Sequence, residues 1–435
     1  MVAVTRLTFA SVVAFGQVVN VVSAANVFAH FMVQNSYSYS QSDWANDISI
    51  AQSIGIDGFA LNVASPSDYE PDRIENAYAA AEAARFKLFY SFDMVSVSGA
   101  WSSDTIAAQI EKHATSSSTF LWNNAVLVST YAGQDNGNDF WASVKSTLSG
   151  QGIDISFAPA LTSYRDPSQA ETMLSTFTSV DGFTNWWSWP NDVNETLTVD
   201  TDLAYKFAVK GSRTGPYIMG SSLFHRGNSK ISVTRTGLSK ATLWNYRWQQ
   251  AINDVQPDII EIVTWNDYAE SHYIGNINPN VALYDAAAYI TGIDHAAWRI
   301  VAQYYISYFK TGTAPAITED QVVFWYRIHP REATCSGGTQ PRMYNFPADA
   351  VFALAMLAED GTVAVDIGST SHTEFTAKGG QLTMGVAYFP SEDNQTPAVS
   401  LIRNGATVKS TNGPQAITTS CSYYNFNPVV GALSA

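Results

Sequence analysis

The sequence predicts a (β/α)8 barrel with a C-terminal all-β sandwich. Three observations carry this. From residue 26 to about 315, short apolar runs alternate with longer helical periods through eight strand–helix units. No GxGxxG or GxxxxGKS/T phosphate turn follows the first strand, as the rival open, doubly wound sheet usually offers. After Gly312 the pattern becomes short alternating runs punctuated by Asp360-Gly361, Gly379-Gly380 and Asn404-Gly405, the signature of hairpins in a sandwich.

The N-terminus comes first. A lone Arg6 precedes an apolar run from Leu7 to Val22, and small residues Ser23, Ala24 and Ala25 follow. Residues 1–24 therefore read as a secretory signal peptide. The alternative, a membrane anchor, is opposed by Gln17 and Asn20 inside a run that is short for a span. The barrel is assigned to residues 25–314. Its strands are 27–33, 56–63, 87–93, 125–133, 155–162, 182–189, 216–224 and 259–267. Amphipathic helical periods separate them, and an eighth, at 295–312, follows the last strand. Thr-Ala-Pro-Ala at 313–316 reads as a linker, and residues 315–435 as the sandwich. Its cysteines, Cys335 and Cys421, are the only two in the chain. In a secreted protein they read as one disulfide closing a long loop, with two free thiols as the alternative. Asn194-Glu195-Thr196 fits the glycosylation acceptor pattern; Asn394-Gln395-Thr396 is followed by Pro397 and fits less well.

Composition narrows the function. Lys and Arg total 23 against 38 Asp and Glu, a net charge of −15, so phosphate-rich partners are disfavoured. Charged residues make up only 14% and aromatics 13% of 435 residues. A surface short of charge and rich in aromatics and small polar groups suits a neutral polyhydroxyl partner.

Barrel active sites are built at the C-terminal ends of the strands. That rule selects His30 on the first strand, Asn62 at the end of the second and Asp93 at the end of the third. It also selects Trp186, Trp187 and Trp189 on the sixth, and Trp265, Asn266 and Asp267 on the eighth. Alternation on the eighth strand puts Glu261, Val263, Trp265 and Asp267 on the inward face. Glu261 falls low in the barrel, where a structural, hydrogen-bonded role is expected. Glu270 follows Asp267 by three residues, close enough in a tight turn for two carboxylates to flank one bond. Glycosidic hydrolysis needs such a pair: one acid for the leaving oxygen, one base or nucleophile for the anomeric carbon. The bland reading of an Asp-x-x-Glu pair is a helix cap, and that of the tryptophans is core packing. No HExxH, no Cys/His metal spacing and no GxSxG elbow occurs.

At WNDYAESHYIG (265–275) the chain resembles glycoside hydrolase family 71, the fungal α-1,3-glucanases or mutanases. The stretch from VFAHFMVQNSYSYS near the start, YSFDM at 90–94, LVSTYAG at 127–133, WRIVAQYYISYFKTG, FWYRIHP and TTSCSYYNFNPVVG extend the resemblance to the C-terminus. It implies a secreted, inverting endo-hydrolase of α-1,3-linked glucan, extracellular or in the cell wall, with a barrel and an attached sandwich. The family's catalytic carboxylates fall on Asp267 and Glu270, and a third on Asp93. Glu270 is assigned as acid and Asp267 as base, with the reverse left open; Asp93 would support them. His272 and Tyr273 of the same loop, with Trp265, Asn266, Asn62, His30 and the three tryptophans, are expected to contact substrate. The family's Ser-Pro-Trp-Phe segment after the seventh strand is missing, and His225 and Arg226 stand just beyond that strand instead. His225 is carried as a further substrate contact. No cofactor, metal, nucleic acid or membrane partner is expected, and the chain is expected to be a monomer acting on polysaccharide. The rivals are a glycosidase for another linkage and a non-catalytic wall-binding protein.

Overall fold

The computed structural model describes residues 25–64, 70–95, 101–189, 196–222, 243–340, 344 and 348–434. The signal-peptide segment, Asn194 and His225 lie outside them. The fold is mixed α/β: a curled, mainly parallel sheet with helices on its outer side, followed by antiparallel sheets.

The first sheet contains β1 (Asn26–Met32), β2 (Gly58–Val63), β3 (Lys87–Asp93), β4 (Leu121–Trp122), β5 (Ala125–Tyr131), β6 (Ile155–Phe157), β7 (Phe183–Asn185), β8 (Tyr217–Ser222) and β9 (Ile259–Val263). Its order is β4-β5-β3-β2-β1-β9-β8-β7, with β6 on β5. Only the short β4, in a hairpin with β5, runs antiparallel. Phe28 in β1 stands opposite both Gly58 in β2 and Glu261 in β9, so first and last parallel strands are neighbours and the sheet curls. Between the β6 and β7 segments the contacts are hydrogen bonds outside the ladder. Asp181 N and Gly182 N donate to Phe157 O (2.8 and 3.0 Å), and Thr184 N donates to Pro159 O (3.0 Å).

Each of the eight expected barrel strands corresponds to a parallel strand here; β6 and β7 are shorter than the runs that predict them. Period-2 burial explains the runs. Phe28, Phe89, Leu127, Ile218 and Ile259 form one cluster inside the curl. Their neighbours Val27, Ala29, Phe59, Leu88, Ile260 and Ile262 pack on the helix side. Those helices are α1 (Gln41–Ser53), α2 (Glu70–Ala84), α3 (Ser103–His113), α4 (Gly137–Gly150), α5 (Ala170–Thr176), α6 (Asp200–Ser212), α7 (Leu243–Gln249), α8 (Ala287–Ile290) and α9 (Trp298–Thr311). Ser40 and Asp43 form a capping box that starts α1, and Gly312, at φ 69°, ends α9 in the left-handed conformation that glycine tolerates. Among the described residues no helix is long and apolar enough to cross a membrane.

The C-terminal strands are β10 (Gln321–Arg327), β11 (Thr334–Cys335), β12 (Ala350–Met356), β13 (Gly361–Ile367), β14 (Ser371–Ala377), β15 (Leu382–Tyr388), β16 (Pro397–Arg403), β17 (Ala406–Asn412), β18 (Ser420–Cys421) and β19 (Pro428–Ser434). They form two four-stranded sheets, β15-β12-β10-β19 and β14-β13-β16-β17, and the small pair β11-β18. Val322, Phe324, Val351, Val363, Val365, Val399 and Leu401, drawn from both sheets, share one apolar cluster. The opposite face of β10 and β12 (Val323, Trp325, Phe352, Leu354) belongs to the large cluster that includes Trp298 and Tyr305 of α9. Two buried faces explain why VVFWYRI and VFALAMLA are almost wholly apolar. The run at 417–426 is mostly irregular, holding only β18, and β19 is a further strand outside the runs read from sequence. Cys335 and Cys421 form a disulfide, with Cα atoms 4.5 Å apart.

Candidate active site

The site is assembled at the C-terminal ends of β1, β3, β5 and β9. Strand β9 ends at Val263, and the chain then folds back on itself. Thr264 N donates to His272 O (2.7 Å), Gly275 N to Trp265 O (2.8 Å) and Trp265 N to His30 O (2.7 Å). A Cβ on Gly275 would meet the Trp265 ring nitrogen at 2.6 Å, so this return requires glycine. Asn266 pins the loop to β1: Met32 N donates to its Oδ1 (2.7 Å) and its Nδ2 donates to Met32 O (3.1 Å). Asp267 N donates to Thr264 Oγ1 (2.8 Å), and Glu270 N donates to Asp267 Oδ1 (3.2 Å). Asp267 is thereby half-buried, while 41% of the Glu270 side chain is exposed.

Burial raises the pKa of the Tyr131 hydroxyl, and the neighbouring carboxylates of Asp93, Glu270 and Asp267 add to that, so Tyr131 keeps its proton. Burial raises the Asp267 carboxyl above the usual carboxylate range; Glu270 adds to that, while His272 and His30 oppose it. Burial likewise raises Asp93, opposed by the Val95 N–H on its Oδ1 (3.0 Å) and by His30. His30 is buried inside the curl, its Nδ1 2.6 Å from Glu261 Oε1. That pairing matches the structural, hydrogen-bonded part expected for Glu261. Trp186 is half-buried and meets both His30 and Tyr131 in T-shaped contacts, at 4.7 and 5.1 Å between centroids.

The other sequence candidates divide. His272 is buried with Nε2 3.8 Å from Glu270 Oε2, and its ring lies 6.2 Å from that of Trp189. Trp187 is half-buried under the Arg165 guanidinium (4.4 Å), which also donates to Trp189 O (2.6 Å). Asn62 is buried near the end of β2 and accepts from Gln34 Nε2 (3.4 Å). Three are turned from the cleft. Trp265 is fully buried against Phe59 (5.2 Å), on the helix side, because alternation ends where the ladder ends at Val263. Both ends of the Asn266 amide are held by Met32. Tyr273 is fully buried, stacked on His295 (4.1 Å), with its hydroxyl donated to Ile293 O (2.9 Å). Tyr131 was not among the candidates, although the rule that selects Asp93 applies equally to the last residue of β5. Among the described residues no group of three or more His, Cys, Asp or Glu stands arranged to hold a metal ion.

Carboxylates at the C-terminal rim of a curled parallel sheet fit acid–base work on a neutral ring. The family model for Glycosyl hydrolase family 71 matches residues 23–435. The chain belongs to that family. A glucan endo-1,3-alpha-glucosidase of Schizosaccharomyces pombe is 34% identical to this glycosyl hydrolase, over 98% of the chain and 99% of the relative. A mutanase of Penicillium rubens is 32% identical, over 93% and 88%. An ascus wall endo-1,3-alpha-glucanase of S. pombe is 30% identical, over 92% and 95%. Among solved structures, an endo-alpha-mannosidase of Bacteroides thetaiotaomicron superposes with a TM-score of 0.48 at 11% identity, over 66% of this chain and 97% of that one.

Proposed function

We propose that this glycosyl hydrolase is a secreted enzyme that cuts α-1,3-glucosidic bonds inside α-1,3-glucan, with inversion. The observation that carries the reading is the loop after β9, which holds Asp267 and Glu270 together (Glu270 N to Asp267 Oδ1, 3.2 Å), in a chain matched along almost its whole length by α-1,3-glucanases. Residues 1–24 serve as the signal peptide, 25–314 as a closed (β/α)8 barrel and 315–435 as a sandwich. The hydrogen bonds from Asp181, Gly182 and Thr184 to the β6 segment support closure, and the apolar cluster shared by two sheets supports the sandwich.

Glu270, the more exposed carboxyl, protonates the leaving glycosidic oxygen. Asp267 takes a proton from the water that attacks C1 from the opposite face, so an α-linkage yields a β-anomer. Asp93 and Tyr131 hold the sugar between them, and Trp186 offers its face to sugar C–H groups. One observation favours the exchanged roles: burial raises Asp267, and a raised pKa suits the acid. An activated aryl or fluoride leaving group separates the two, since it restores turnover only to the variant that lacks the acid. The substrate is tested by reducing-sugar release from insoluble α-1,3-glucan, starch, dextran and β-1,3-glucan. Release from the first alone is expected; preference for any other would replace this reading with another linkage.

A further inference from the structure

A groove of about 550 Å³ opens beside the catalytic loop, in the size range of ligand sites. Its walls come from the loop after β1 (Gln34, Asn35, Tyr37), from Tyr268 and Ala269, and from the segment 281–289. Gln34, Asn35 and Tyr37 follow the C-terminal end of β1, and Tyr268 and Ala269 belong to the loop after β9 that carries Asp267 and Glu270. Ala269 lies between Asp267 and Glu270 in sequence, and Tyr289 donates its hydroxyl to Ala269 O (3.0 Å). Asn35 Nδ2 donates to Asn266 O (2.9 Å) from the other side. One loop therefore carries the carboxylates and forms a wall of the groove.

We infer that this groove is a distal glucan subsite. Its occupant is a run of glucose units of the same chain whose bond lies at Asp267 and Glu270, an inference that rests on the function proposed above. Two aromatic rings stand open at it, Tyr37 at 42% and Tyr284 at 83% exposure. Tyr284 sits at φ 46°, in the left-handed region that bulky residues rarely adopt, at the start of a short helical turn. Among the described lining residues Asp285 alone carries a charge; the others are amides, tyrosines and small apolar groups. Such a lining offers stacking faces and neutral hydrogen-bond partners, which a polyhydroxyl chain uses and an anion does not.

The test compares wild type with Tyr37→Ala, Tyr284→Ala and Tyr284→Phe by steady-state kinetics. Each is run on a long soluble α-1,3-glucan and on the shortest α-1,3-oligosaccharide the enzyme cuts. Each Ala variant is expected to raise KM for the long chain about three- to tenfold, and for the short one less than about twofold. Tyr284→Phe, which keeps the ring, is expected to restore the long-chain KM. Equal effects on both substrates, or none on either, would overturn the subsite while leaving the reaction standing. A wild type that releases nothing from α-1,3-glucan would instead overturn the reaction, and this occupant with it.

Discussion

Asp267 sits where a carboxylate is uncomfortable, and that discomfort is testable. Its raised pKa means that its contribution to stability is present below the ordinary carboxylate value and is lost as pH rises through the folded value. Above that folded value the ionised, half-buried side chain therefore weakens the fold. Asp267→Asn still accepts the Glu270 N–H, so its Tm at neutral pH should equal or exceed that of wild type. Activity should fall about 10²- to 10⁴-fold, and Glu270→Gln should lose a similar amount. Unchanged reducing-sugar release from a folded Asp267→Asn protein contradicts the assignment. His30 acts on both raised carboxyls in the opposite sense. Replacing the ring with His30→Asn removes that opposition and should move the acidic limb of kcat/KM to higher pH, because the base then holds its proton longer. A limb that stays put or moves down would separate His30 from the carboxylates. The placement of Asp93, Asp267 and Glu270 at or just beyond strand ends was legible at this scale, because strand ends and loop spacing are written in the chain. Tyr131 was missed because a tyrosine closing an apolar run looks like core until its neighbours are known.

At the scale of elements, the decisive piece is the loop from Thr264 to Gly275. Its register rests on Asn266, whose amide satisfies both backbone groups of Met32 in a fully buried position. Asn266→Ala leaves an N–H and a carbonyl unpaired, at about 1–3 kcal/mol for each. Urea titration should report that loss, and kcat should fall more than KM rises, since the displaced residue next along the chain is Asp267. A variant with wild-type stability would show that the pin is not needed. The parallel strands were legible because burial on both faces leaves nearly unbroken apolar runs bounded by turn residues. The orientation of Trp265 was not: period-2 reasoning requires a continuing ladder, and the ladder stops two residues earlier. β19 was missed because PVVGALS carries a central glycine and no alternation; its strand character comes from pairing along the whole of β10.

Across the whole molecule, the C-terminal segment is tied to the barrel beside the loop that carries Asp267 and Glu270. Asn427 Nδ2 donates to Tyr289 O (3.1 Å) and to the Tyr273 hydroxyl (3.3 Å), and the ring of Tyr289 stacks on Tyr423 at 6.3 Å. The Cys335–Cys421 bridge, which spans 86 residues of sequence, sits two residues before Tyr423. Replacing both cysteines by serine should lower stability by about 2–5 kcal/mol, read as a shifted denaturant midpoint. An unmoved midpoint would mean that the loop is held without it. Composition also pointed to the class of partner: with a net charge of −15 and only 14% charged residues, the chain disfavours anionic partners. How that charge is distributed depends on contacts between segments hundreds of residues apart, which no local pattern records.

Asp267 and Glu270 are proposed to flank an α-1,3-glucosidic bond and to cut it with water in a single displacement. Proton NMR of the reducing ends released from α-1,3-glucan, recorded before mutarotation, tests it most directly. The β-anomer appearing first is the predicted result; the α-anomer first, or no new reducing end at all, would contradict it.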